Sequence, residues 1–230
     1  MLGRMQLSPA CARVLGALME KGLATPQQYP LTVNALQSAC NQTSNREPVV
    51  SYDETTVLAA LDELKDQKLV RFVLPSHGRS VVRYRQVLDE TLALDARQCA
   101  VLAVLLLRGP QTIGELRIRT ERMATFDSLD EIQHELDVLH TREEPLAHNV
   151  GRRPGQKEER WATTLVPAPD PDQPRQPMSA GSTVSASTTA AAPIAAAAHD
   201  DGLRAELEEL RAEVADLRQE VRELRESLGG

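Results

Sequence analysis

One apolar pattern occurs twice in this sequence, which limits the chain to folds built from two copies of one small unit. Val14, Leu15 and Leu18, closed by Lys21 and Gly22, align with Val101, Leu102 and Leu105, closed by Arg108 and Gly109, at an offset of 87 residues. Thr25 aligns with Thr112 at the same offset. Leu61, Asp62 and Leu64 align with Leu136, Asp137 and Leu139, now 75 residues apart. The first copy is therefore expected to hold twelve extra residues between its second and third helices.

Each copy reads as three helices followed by a hairpin. Ser8-Pro9 is an N-cap followed by proline at the first helical position, and Cys11, Val14, Leu15 and Leu18 then share one face until Gly22 stops the helix. A second helix is expected over residues 31–41 and a third over 53–67, with Val57, Leu58, Leu61 and Leu64 facing inward. Residues 69–74 and 80–87 are strand-like around the turn Pro75-Ser76-His77-Gly78-Arg79. In the second copy the helices fall at 95–107, 112–122 and 128–142, and the hairpin at 146–150 and 159–165. This order predicts a mainly α fold of the α+β winged-helix kind: two tandem winged helix-turn-helix domains, residues 1–92 and 93–166.

Two further regions follow. Residues 167–202 are rich in Pro, Ala, Ser and Thr, hold no periodic apolar pattern, and read as a disordered linker. In residues 203–228, Leu203, Leu207, Leu210, Val214, Leu217, Val221, Leu224 and Leu228 alternate spacings of four and three. With Leu207, Val214, Val221 and Leu228 at heptad position a, every d is Leu, and two β-branched a residues favour two strands. Glu206, Glu213 and Glu220 occupy g, and Arg204, Arg211, Arg218 and Arg225 occupy e. A parallel pair brings Glu against Arg; an antiparallel pair brings Glu against Glu. The expected partner of this chain is therefore a second copy of itself, in a parallel coiled coil.

Composition narrows the rest. With one Trp, two Phe and three Tyr, any core must be built from Leu, Val and Ala. Residues 1–166 carry 20 Lys+Arg against 21 Asp+Glu, and the remainder 6 against 12, so the tail supplies six of the seven net negative charges. Cys11, Cys40 and Cys99 are odd in number and far apart, which predicts neither a disulfide framework nor a metal site but three buried small side chains. No secretory leader is recognisable and no apolar run approaches a membrane span, so a cytoplasmic location is expected. A Gly-rich phosphate loop, GxSxG and HExxH are all missing, and the histidines are dispersed. Neither an enzyme nor a cofactor is expected.

Winged helices usually lay the third helix in the DNA major groove. Here Asp53, Glu54, Asp62, Glu63 and Asp66 against Lys65, and Asp130, Glu131, Glu135 and Asp137 against Arg142, set those helices against phosphate. Basic residues lie instead on the wings: Arg79, Arg83 and Arg85 on the first, where alternation puts Arg83 and Arg85 opposite Val82 and Tyr84, and Arg152, Arg153, Lys157 and Arg160 on the second. Arg117, Arg119 and Arg122 cluster on a helix. Wing contact with DNA and a solvated hairpin face both fit these positions. Asn41, Asn45, Arg46 and Glu47 form a polar segment that fits either recognition or helix capping and turn closure.

Thr25-Pro26-Gln27-Gln28-Tyr29-Pro30-Leu31, Ala39-Cys40-Asn41-Gln42-Thr43-Ser44-Asn45-Arg46-Glu47-Pro48-Val49, Leu105-Leu106-Leu107-Arg108-Gly109-Pro110-Gln111-Thr112 and Arg153-Pro154-Gly155 together resemble the bacterial YceH-like family, a domain of unknown function. The resemblance covers residues 6–166. It implies tandem winged helices in a bacterial cytoplasmic setting and no particular chemistry. The leading expectation is a dimeric, non-enzymatic regulator contacting DNA through its wings. The alternative is a protein-interaction scaffold on the same fold, with another protein as its partner.

Overall fold

The computed structural model describes residues 5–73, 81–152 and 155–167. The heptad residues Leu203, Leu207, Leu210, Val214, Leu217, Val221, Leu224 and Leu228, the linker 167–202 beyond its first residue, and Arg79 and Arg153 lie outside the described residues.

The described chain is mainly helical with two small antiparallel sheets. Helices α1 (Pro9–Ala24), α2 (Val33–Cys40) and α3 (Glu54–Asp66) precede strands β1 (Val70–Val73) and β2 (Arg83–Gln86). A short α4 (Leu88–Leu92) leads to α5 (Ala96–Arg108), α6 (Ile113–Thr120) and α7 (Leu129–His140), then β3 (Ala147–Arg152) and β4 (Glu159–Thr163). All described residues belong to one compact unit.

Capping residues explain where the helices begin. Ser8 Oγ accepts the Cys11 N–H at 3.2 Å, and Asp53, Thr32 and Ser128 cap α3, α2 and α7 in the same way. Asp95 with Gln98 and Thr112 with Glu115 form reciprocal capping boxes on α5 and α6. At the far end of α5, Gly109 takes φ of 70°, a backbone conformation favouring glycine.

The repeat is present, but its internal spacing differs from the expected one. Thr112 is the N-cap of α6, and its counterpart is Thr32, the N-cap of α2, at an offset of 80; Thr25 instead follows the end of α1. Seven of the twelve additional residues therefore lie between the N-caps of the first and second helices, and five between those of the second and third. In the strands the offset is 77, since Val70 pairs with Gln86 as Ala147 pairs with Thr163. Each copy also has one isolated antiparallel bridge just before its second helix, Leu31 with Tyr84 and Gln111 with Trp161.

The core is a joint product of both copies. Every residue from Cys99 to Leu107 on α5 is buried, because α1, α6, α7 and β4 all pack around it. Helix α1 crosses α5 at Gly16, where a Cβ would lie 2.9 Å from Leu107 Cγ and 3.1 Å from Leu106 Cβ. The Leu7 N–H donates to Leu165 O at 2.7 Å, and the Glu47 N–H to Leu107 O at 2.8 Å. Leu58 departs from the inward-facing set: it is 38% exposed, whereas Val57, Leu61 and Leu64 are buried.

Candidate functional site

The first hairpin has two unlike faces. On one, Arg71 lies directly across from Arg85, a like-charge pair that would repel. Glu90 on α4 relieves it, accepting from Arg85 at 2.6 Å and lying 3.4 Å from Arg71. Hydrogen bonding from Arg85 holds the Glu90 carboxyl below its ordinary pKa. Arg83 donates to Pro30 O at 2.9 Å.

On the other face Phe72 lies across from Tyr84, with Val82 beside it, over Leu61, Asp62 and Lys65 of α3; Leu58 is one turn back along that helix. The groove between strand and helix encloses about 550 Å³, its open mouth included. Phe72 is 50% exposed and Val82 36%. Such a contiguous apolar strip on a surface carries more information than scattered exposed aliphatics.

The second copy lacks this strip. Using the repeat's own offsets, Leu58 corresponds to Gln133, Phe72 to Asn149 and Val82 to Glu159. Those polar side chains bond within the fold: Gln133 Nε2 donates to Asp137 at 2.7 Å, and Asn149 Nδ2 to Glu159 at 2.7 Å. Trp161, the counterpart of Tyr84, is buried and meets His140 edge-on at 5.8 Å.

The basic residues of the second hairpin divide. Arg152 is exposed and lies 3.8 Å from Glu159, and Lys157 is exposed. Arg160 is a correction to the exposed basic set. It is buried, donating to Glu115 at 2.8 and 3.2 Å, to Pro110 O at 2.8 Å and to Gln156 at 3.1 Å, so it joins β4 to α6 instead of facing a phosphate.

The polar segment is largely consumed by its own fold. Asn41 bonds the Tyr52 backbone twice, at 2.8 Å each. The Arg46 side chain is fully buried, pairs with Glu20 at 2.5 and 3.2 Å, and donates to Ala39 O, Asn45 O and Gln42. Asn45 and Glu47 are different: Asn45 Oδ1 accepts from Arg108 at 2.8 Å, and Glu47 lies close enough to support the Arg108 charge. Asn45 lines a second concavity, at the ends of α1, α5 and α6, that the sequence did not reveal.

Chemically reactive groups are subdued. Burial pushes the Cys11 and Cys40 thiols up to about 11 and the Cys99 thiol to about 12, so each is protonated and a poor nucleophile at neutral pH. Among the described residues no group of three His, Cys, Asp or Glu side chains is placed to hold a metal ion, and no helix is long and apolar enough to cross a membrane.

Fold and surface together define a mainly helical α+β protein, internally duplicated, with one copy presenting an apolar strip. Residues 7–156 match the family described as "Protein of unknown function, DUF480", and the chain belongs to that family. It is 51% identical to a UPF0502 protein of Geobacter sulfurreducens over 158 residues, 69% of this chain and 71% of that protein. A UPF0502 protein of Geobacter metallireducens is 48% identical over 158 residues, with the same coverage, and one of Koribacter versatilis 46% over 168 residues, 73% of this chain and 78% of that protein.

Proposed function

We propose that this chain is a non-enzymatic tandem winged-helix protein that acts as a protein-interaction module, docking a partner in the groove between α3 and the first hairpin. The order of three helices and a hairpin, twice, with a bridge from the start of each second helix to its hairpin, supports the winged-helix reading. The observation that carries the interaction reading is the asymmetry between copies: Leu58, Phe72 and Val82 are apolar and exposed where the second copy has Gln133, Asn149 and Glu159. The α3 stripe adds Glu54 and Asp62 against Lys65 alone, itself 3.3 Å from Asp62. Apolar floor and acidic rim suit a partner segment with apolar anchors flanked by Lys or Arg, and repel nucleic-acid phosphate. In this reading the heptads of residues 203–228 present two such modules on one parallel dimer.

The test places a photo-crosslinking amino acid at position 72 and, separately, at position 149 of the full chain in cells. The reading expects a crosslink at 72 alone, lost on Leu58→Asp, to a peptide with apolar residues between basic ones. Equal crosslinking at both positions, or none at 72, refutes it. Duplex DNA binding at low salt that disappears in an Arg83→Ala/Arg85→Ala variant would instead favour DNA contact through the wings.

A further inference from the structure

We infer that the cleft where α1, α5 and α6 end binds a small phosphate-bearing molecule, with Lys21, Arg108, Arg119 and Arg122 holding its polyphosphate group. The cleft is lined by these four cations together with Asn45 and Met123 among others, and encloses about 500 Å³, its open mouth included.

The balance of charge singles this place out. Glu20, the one carboxylate in the lining, is held by Arg46 at 2.5 and 3.2 Å, with Lys21 farther off at 3.7 Å. Glu115 accepts two close bonds from Arg160 and stands 3.8 Å from Arg119. Both carboxylates are thus committed mainly to guanidiniums outside the four. Glu47 adds one negative charge near Arg108. Arg108 donates one nitrogen to Asn45 at 2.8 Å, while its Nε is buried with no acceptor among the described residues. Burial, then the nearby charge of Arg119, lowers the Arg108 pKa, as expected where cations gather without matching anions.

Basic side chains at helix C-termini often serve the last carbonyls. Here other donors serve them. Lys21 O accepts the Thr25 N–H at 3.0 Å, Leu105 O the Gly109 N–H at 2.9 Å, and Leu107 O the Glu47 N–H at 2.8 Å. Thr120 O accepts from Met123 at 2.7 Å and Ala124 at 2.9 Å. The close bonds the cations do make go to neutral acceptors, Lys21 to Gln42 Oε1 at 3.4 Å and Arg108 to Asn45 Oδ1 at 2.8 Å, which leaves further N–H groups for charge-assisted bonds to an oxyanion. Because they converge on one concavity instead of running along a stripe, they fit a compact polyanion better than a strand.

This inference goes beyond the interaction reading and does not depend on it. The experiment is calorimetric titration of the full chain with inorganic tripolyphosphate and, in parallel, ATP. Saturable binding is expected, weakened by roughly tenfold or more for each guanidinium lost in Arg119→Gln/Arg122→Gln. Arg83→Gln/Arg85→Gln on the hairpin should leave it unchanged. Thermal melts establish that both variants are folded, and both substituted cleft residues sit at or near the surface, which favours this. Tighter binding of ATP assigns a nucleotide; equal binding assigns the polyphosphate alone. No saturable binding of either probe, binding that survives in the folded Arg119→Gln/Arg122→Gln variant, or loss of duplex DNA binding there without any small-anion binding overturns the proposal.

Discussion

Replacing Gly16 with alanine sets two effects of opposite sign against each other. Alanine is favoured over glycine in a helix interior by about 1 kcal/mol, so α1 alone would gain. The new methyl, however, would sit 2.9 Å from Leu107 Cγ and 3.1 Å from Leu106 Cβ, atoms near the root of side chains that are themselves enclosed. Neither can swing away as the tip of a flexible chain could, so α1 and α5 must separate by a few tenths of an ångström. Overpacking of this kind costs about 1–3 kcal/mol. The net expectation is a loss on the order of 1 kcal/mol, or roughly 2–4 °C in Tm for a unit of this size. Gly114, also helical, is the control: the sole neighbour of its added Cβ within 4 Å is Thr112 Oγ1, at 4.0 Å. Gly114→Ala should therefore keep the propensity gain and stabilise. Urea unfolding of the full-length chain followed by circular dichroism measures both. Gly16→Ala at or above wild-type stability, with Gly114→Ala behaving as stated, would refute a tight α1–α5 crossing.

Three more outcomes are expected. Glu20→Gln leaves the fully buried Arg46 guanidinium without its counter-charge and should cost about 3 kcal/mol in urea unfolding, the scale for breaking a buried pair from one side. From neutral pH, stability should hold to about 9 and then fall through 11, because the unfolded chain releases thiol protons near 9.0 while folded Cys11 and Cys40 hold theirs to about 11 and Cys99 to about 12; a Cys11→Ala/Cys40→Ala/Cys99→Ala variant should reduce the decline, leaving the part that partly buried Tyr29 adds above pH of about 10. Light scattering should report two chains for the intact protein and one after removal of residues 203–230; a truncated form that stays dimeric assigns the pairing to the globular part.

Much of the helical order was readable because each start carries its own cap, at Ser8, Asp53, Asp95, Thr112 and Ser128, ahead of an apolar period. Helix α4 was not, since five residues are too few to show a period. Thr25 matched Thr112 by residue type, but one follows the end of a helix and the other opens one, and similarity alone does not place a gap. Leu58 is apolar and next to Val57 in the sequence, yet it falls outside the buried stripe of Val57, Leu61 and Leu64, which composition alone does not show. Arg160 sits beside Glu158 and Glu159 in the sequence yet bonds Glu115, 45 residues away, and Arg46 finds Glu20 at a distance of 26. The basic cleft was hidden for the same reason: Lys21, Arg108 and Arg119 meet only after α1 and α5 pack.

The bond from Leu7 to Leu165 and the seating of α1 on α5 also bear on when the protein becomes itself during synthesis. Leu165 is added 158 residues after Leu7, which at typical rates is on the order of ten seconds later. Until α5 emerges, the face of α1 that bears Gly16 has nothing to cover it. A nascent chain paused shortly after the first hairpin should therefore depend on holding factors at the ribosome, and rare codons between the two copies should lower its yield more than the same codons placed after residue 167.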